Sequence, residues 1–192
     1  MPTRKPLTRK RSVRKEPVRS KHVFALVIEG PILQDAFLDA LYEAGCSDAL
    51  FGTVDEVGYG DFTRLGPTFT DAIASAIRDV ESVEGLRVVR IEPDDLLTMS
   101  EIAGRLGRSR ESVRLLISGR RGPGAFPAPV SHLPSRSRLW RWSDVAAWMG
   151  TLPSKELERS RVIAAVNAAL ELRRQQPDLG ERERELVDAL TG

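Results

Sequence analysis

Residues 98–119 read TMSEIAGRLGRSRESVRLLISG. Ile102, Ala103 and Leu106 fall at helical spacing, and after Gly107 and Arg108 the pattern resumes with Val113, Leu116 and Ile117, the signature of two short amphipathic helices joined by a tight turn. Thr98 or Ser100 is placed to cap the first helix and Ser109 the second, because a side-chain oxygen there satisfies one of the N–H groups a helix start leaves unpaired. Gly119 supplies the stop. With the apolar side turned inward, Ser109, Arg110, Glu111, Ser112 and Arg114 remain on the outer, N-terminal half of the second helix.

That half is the part of a recognition helix that meets base edges in a major groove. Arginine suits the position because its planar fork matches paired acceptors on a base edge. Glu111 can accept from a cytosine amine or orient an arginine. Downstream, FPAPVSHLPSRSRLWRW (126–142) predicts two extended segments, 128–133 and 138–142, joined by a polar turn at 134–137. A basic hairpin beside the helix would set Arg136, Arg138 and Arg141 where phosphates pass, together with Arg108, Arg120 and Arg121 from the loops flanking the helix. SDVAAWM then opens a third helix, with Ser143 as cap and Val145 and Trp148 facing a core. GRRGPG (119–124) lacks the Lys-Ser/Thr ending of a phosphate-cradling loop and follows a helix rather than a strand, so it reads as a turn.

In MSEIAGRLGRSRESVRLLI, FPAPV and RLWRWSDVAAWM the chain resembles the winged helix-turn-helix domains of the MerR-like and phage excisionase-like class, over residues 97–149. The resemblance implies a binder of double-stranded DNA, with the second helix in the major groove and the wing on the backbone. Base contacts are then expected from Ser109, Arg110, Glu111, Ser112 and Arg114, and backbone contacts from Arg108, Arg120, Arg121, Arg136, Arg138 and Arg141. In MerR regulators this domain comes first and a long dimerising helix follows it, whereas here an acidic segment precedes it. The effector cysteines of the metal-sensing members are also absent, so metal sensing is not carried over.

The net charge of +2 conceals a segregation along the chain. Residues 1–22 carry +8, 23–97 carry −11, 98–150 carry +6 and 151–192 carry −1. The first 21 residues have no apolar periodicity and read as a disordered basic arm that adds phosphate contacts or serves a partner. Order is expected from Val23. HVFALVIEG reads as a strand, and PILQDAFLDALYEAG as a helix with Pro31 in its first turn, Leu33, Phe37, Leu38 and Leu41 on one face, and Gly45 at its end. DALFGTVDEVGYGDF reads as a hairpin turning at Asp55 and Glu56. TFTDAIASAIRDVESV reads as a helix capped by Thr68 or Thr70, with Phe69, Ile73, Ile77 and Val80 inward, and GLRVVRIEP as a last strand. The β-α-β-β-α-β order over 22–93 is that of a ferredoxin-like unit, giving an α+β chain. EPDDL links it to the next module. Residues 154–191 predict a helix with a stripe of Val162, Ile163, Val166, Ala169 and Leu170, stopped by Pro177, then a shorter one carrying Leu186, Val187 and Leu190.

With 41% hydrophobic and 29% charged residues the composition is that of a soluble globular protein, and no run is apolar and long enough to span a membrane. The basic N-terminus is followed by no small-residue cleavage site after an apolar run, so a cytoplasmic protein is expected. Cys46 is the single cysteine, which excludes an internal disulfide and cysteine-based clusters, and it reads as a small buried residue. His22 and His132 lie too far apart to suggest a metal pair, and no cofactor is expected. Asp35, Asp39, Asp55, Glu56 and Asp61 supply carboxylates but no nucleophile with a base and an orienter, so an enzyme is not expected. The sequence leaves open a homodimer, a protein partner for the acidic domain, an antitoxin-like adaptor role, and shielding of the basic module by the acidic one.

Overall fold

The computed structural model describes residues 19–131, 137–150 and 153–192. The chain is α+β, with the elements β1 (Ser20–Glu29), α1 (Asp35–Glu43), β2 (Ala49–Val54), β3 (Val57–Gly66), α2 (Phe69–Glu81) and β4 (Arg87–Glu92), then β5 (Leu96–Thr98), α3 (Met99–Arg105), α4 (Arg110–Ile117), β6 (Leu139–Arg141), α5 (Trp142–Met149), α6 (Ser154–Gln175) and α7 (Glu181–Thr191). Strands β2-β3-β1-β4 form one antiparallel sheet in that spatial order, and β5 pairs with β6 in a second. No helix among the described residues is long and apolar enough to cross a membrane.

The first sheet alternates as a half-covered sheet should. Phe24, Leu26 and Ile28 of β1 and Phe62 of β3 point into a core closed by Leu41 of α1 and Ile73, Ala76 and Val80 of α2. The opposite face leaves Val23, Leu50, Val54, Val57 and Leu65 in solvent. The hairpin turns at Asp55 and Glu56, both at positive φ (50° and 67°), the two-residue geometry that matches the twist of adjoining strands. One glycine in each strand of this hairpin is roofed by a cross-strand aromatic: Phe51 of β2 faces Gly60 of β3, and Tyr59 of β3 faces Gly52 of β2, and each ring occupies the space a Cβ would need.

Several expectations require correction. Strand β1 begins at Ser20, ahead of the expected Val23, because Ser20, Lys21 and His22 pair with Gly66, Leu65 and Arg64; residues 1–18 of the expected basic arm lie outside the described residues. Helix α1 begins at Asp35, not at Pro31. The proline instead starts a turn in which the Ile32 N–H reaches the Gly30 carbonyl and the Gln34 N–H the Pro31 carbonyl. Ile32 thereby enters the core and Leu33 is left about half exposed (48%). At the far end Gly45, at φ +97°, closes the helix, with the Cys46 N–H on the Leu41 carbonyl and the Gly45 N–H on the Tyr42 carbonyl, the paired bonds of a Schellman stop. Cys46 is buried as expected, and burial pushes its thiol up to about 11.

Behind Cys46 lies a buried cation that sequence reading did not single out. Arg64 donates from Nε and Nη2 to both Asp48 oxygens (2.9 Å each), from Nη2 to the Gly45 carbonyl (2.9 Å), and from Nη1 to Asp79 and to Ser75 Oγ. Burial alone would lower the guanidinium, but the hydrogen bonds to Asp48 and Asp79 outweigh it and hold Arg64 above its ordinary value. One side chain thus ties β3 to α2 and to the loop after α1.

The helix α6 docks on the same chain. Ile163 and Leu170 are buried in the first core, with Val162 and Val166 beside them, whereas Ala169, expected in the stripe, is exposed. The docking face instead carries Asn167, whose Oδ1 accepts from the Ile91 N–H (2.8 Å) and whose Nδ2 donates to the Ile91 carbonyl (3.0 Å). Arg173 donates to the Val88 carbonyl (2.7 Å) and pairs with Glu81. An edge strand left bare is a template for unwanted pairing, and α6 covers that of β4 with side chains that mimic a neighbouring strand.

The second core gathers Leu97, Ile102, Ala103, Val113, Trp140, Trp142, Val145 and Ala146. The Asp94–Asp95 stretch, expected only as a link, contributes to it directly. Asp95 is buried (2%) and its carboxylate accepts from the Ser143 N–H (2.9 Å) and Ser143 Oγ (2.8 Å), while its carbonyl accepts from the Trp142 N–H (2.7 Å). Ser143 therefore does not cap α5; it lies in the first turn and is itself capped by a carboxylate 48 positions earlier. Burial raises the Asp95 carboxyl, against the pull of the Ser143 hydrogen bonds and of Arg141. A carboxyl raised in the folded state gives a contribution that is largest below its unfolded value and is lost as pH rises through its folded one. Asp95→Ala, which strands the Ser143 N–H, is expected to lower stability by about 1–3 kcal/mol. Asp95→Asn keeps an acceptor for the N–H and gives Oγ a donor, so it is expected to stay within about 1 kcal/mol of the parent and to flatten the acid-side pH dependence. Urea denaturation across pH 3–7 tests both; equal losses for the two variants would contradict the capping role.

Candidate nucleic-acid interface

The two-helix element is built as its sequence implies. Thr98 caps α3 in a reciprocal box with Glu101, whose Oε2 accepts from the Thr98 N–H (2.7 Å). Gly107 at φ +60° takes the left-handed turn, with the Arg108 N–H on the Ala103 carbonyl. Ser109 Oγ then accepts from the Ser112 N–H (3.1 Å) and starts α4. Val113 and Leu116 are fully turned into the core and Ile117 packs at its edge. Gly119 at φ +68° stops the helix.

The same rotation leaves Arg108, Ser109, Arg110, Glu111 and Arg114 exposed along one side of α4, with Ser112 half-buried. Glu111 and Arg114 join in a two-point ion pair, Nε to Oε2 at 2.7 Å and Nη2 to Oε1 at 2.6 Å. The hydrogen bonds from Arg114 hold the Glu111 carboxyl below the usual carboxylate range, and the reciprocal bonds raise Arg114. Both Glu111 oxygens are thereby occupied by Arg114. Arg108, Arg110, Arg120 and Arg121 make no ion pair with any described residue.

Arg120 and Arg121 donate their backbone N–H groups to the Leu115 carbonyl, and the loop after them is held against the fold. Gly122, at φ +82°, lies so close to Leu116 that a Cβ would sit 2.8 Å from its Cδ2. Trp148 donates to the Gly124 carbonyl (2.9 Å) and meets Phe126 edge-on at 5.0 Å, and Trp140 donates to the Pro127 carbonyl (3.2 Å). The loop is thus strapped to α4 and α5. Trp148, expected inward, is half-buried in this role.

The expected hairpin differs from its reading. Among the described residues of its first segment, 128–131, the Val130 N–H to Leu139 carbonyl bond and the Ser131–Leu139 bridge form, and Pro127 and Pro129 have no N–H to extend the ladder; residues 132–136, with most of the expected turn, lie outside the described residues. The second segment is shorter than expected, Leu139–Arg141, and its full partner is β5, a strand that the sequence did not announce. Trp142 belongs to α5. Arg141 on this ladder and Arg138 just before it are exposed. Arg136 and His132 lie outside the described residues. Arg105, by contrast, is engaged within the fold, its guanidinium 5.2 Å over the Trp142 ring.

The positioning residues that sequence reading missed are Asp95 and Trp140, each acting through a partner distant in sequence, and Gly122, which packs on Leu116 six residues before it. Two prolines in FPAPV were a signal against a full first strand. No protein-family model, curated protein or solved structure matches the chain.

Proposed function

We propose that the chain is a cytoplasmic, sequence-specific binder of double-stranded DNA and a transcriptional regulator, built from a ferredoxin-like unit followed by a winged helix-turn-helix. The observation that carries the reading is the division of α4: Val113 and Leu116 are buried, while Arg110, Glu111 and Arg114 are exposed beside Arg108, Arg120 and Arg121. Cations without internal acids are suited to phosphates, and a helix that presents polar side chains from a rigid core is suited to base edges. On this reading Ser109, Arg110, Ser112 and Arg114 face bases, and Arg108, Arg120, Arg121, Arg136, Arg138 and Arg141 hold the backbone.

The test is fluorescence anisotropy of the full chain on random duplex fragments, followed by selection and a salt titration. The expected outcome is a selected motif and a log–log salt slope of about −0.9 per phosphate contact. Absence of binding at low salt would sink the reading. A protein-binding role for the first module is favoured by a separate observation, the row of exposed Val23, Leu50, Val54, Val57 and Leu65 on its open sheet face. Such a role makes the chain an adaptor and is compatible with DNA binding by the second module.

A further inference from the structure

The Glu111–Arg114 pair is directional. A guanidinium carries its five N–H groups as a planar fan, from which two parallel pairs can be drawn: a side pair from Nε and Nη2, and an end pair from Nη1 and Nη2. Glu111 occupies the side pair with both its oxygens. No described residue accepts from Nη1, and the two side chains are 53% and 62% exposed, so the end pair faces outward from α4. The two residues are also anchored at their backbones: Ser109 caps the turn that contains Glu111, and Val113, next to Arg114, is fully buried.

An outward pair of parallel donors discriminates among base edges. Guanine offers O6 and N7, two adjacent acceptors. Adenine offers N7 beside an amine donor, thymine a single O4, and cytosine an amine, so each leaves at least one N–H of the fork unmatched or opposed. A free arginine on a long flexible stem could use its fork anywhere, on phosphate included, whereas one clamped on its side edge has a fixed plane. Arg110, exposed on the same helix without such a clamp, has no comparable constraint.

We infer that Arg114 reads a single guanine through its Nη1/Nη2 edge, and that Glu111 is the positioning residue that aims this edge rather than a base contact itself. The inference rests on the DNA-binding reading above and narrows it: one G·C pair in the recognised sequence answers to these two side chains together. Glu111, held below the usual carboxylate range, stays charged throughout the neutral range in which binding would be measured.

The experiment is selection from a random duplex pool with the full chain, followed by anisotropy on the selected duplex and its single-pair replacements, for the parent, Arg114→Lys and Glu111→Gln. The parent is expected to prefer G·C over A·T at one position by about tenfold or more. Arg114→Lys keeps a point charge but loses the fork, so preference at that position alone should collapse while affinity for random duplex is retained. Glu111→Gln removes a negative charge and a clamp together. Affinity for random duplex should hold or rise, while preference at the same pair falls by about threefold, the scale of an exposed ion pair. A merely structural Glu111 would instead lower both affinities. Unchanged preference at every pair in Glu111→Gln, or relaxation by Arg114→Lys at a pair other than G·C, would overturn the inference with the DNA-binding reading intact. Salt-dependent binding without any selected motif would overturn it as well, and no binding at all would remove the reading beneath it.

Discussion

Arg64→Ala is expected to cost about 3 kcal/mol of folding stability, measured by urea denaturation followed by circular dichroism. Arg64 is the buried member of a cluster in which Asp48 and Asp79 retain 29% and 31% exposure. Removing it leaves two carboxylates facing one another across the space it filled, and orphans the Gly45 carbonyl that ends α1. Breaking a buried pair from one side costs about 3–5 kcal/mol, and the partial exposure of both acids puts this case at the low end. Arg64→Lys should recover only part, since an ammonium cannot span Asp48 in two points and reach Asp79 as well. The location of the loss can also be read, because Trp140, Trp142 and Trp148, all the tryptophans of the chain, lie in the second module. Circular dichroism should therefore report the loss at lower urea than tryptophan fluorescence does. A loss below about 1 kcal/mol would mean that the cluster's attraction barely exceeds its desolvation cost.

The second large effect concerns salt. The triple replacement Arg108→Ala, Arg120→Ala, Arg121→Ala removes cations that flank α4 at both ends and hold no internal ion pair among the described residues. If each neutralises one phosphate, the log–log salt slope should flatten by about 2.7, at about 0.9 per contact. Affinity at physiological salt should fall by about two orders of magnitude, for cognate and random duplex alike. Stability should be unchanged within about 0.5 kcal/mol, as expected of surface positions away from caps and cores. An unaltered slope would exclude these three side chains from the backbone contact.

What was legible in the sequence was local. Thr68, Thr98 and Ser109 each cap a helix through a residue three positions on, and such spacing is visible in a string of letters. The turn at Asp55 and Glu56 and the inward stripe of α4 are of the same kind. What was hidden depends on contacts between distant segments. Nothing near Asp95 distinguishes it from the acids around it, since its partner Ser143 lies across the second core. Arg64 resembles any other strand arginine until the acids from two other segments arrive. Asn167 sits in an apolar stripe where it looks like an interruption, yet it is the residue that engages the backbone of β4. Leu33 was misassigned because Ile32 and Leu33 are interchangeable by hydropathy, and only the turn at Pro31 decides which enters the core.

The return of α6 to β4 has a consequence for the order in which the protein can be made. Ile163, Asn167, Leu170 and Arg173 of helix α6 cover a sheet whose last strand ends at Glu92, so on a ribosome the first module emerges before α6 and waits, its β4 edge bare, while the whole of the second is synthesised. The second module has its own core between Leu97 and Ala146 and can close first. A segment made after the second module seals one made before it, so a release of the chain before about residue 173 leaves the second module already formed beside a first sheet whose β4 edge is still open.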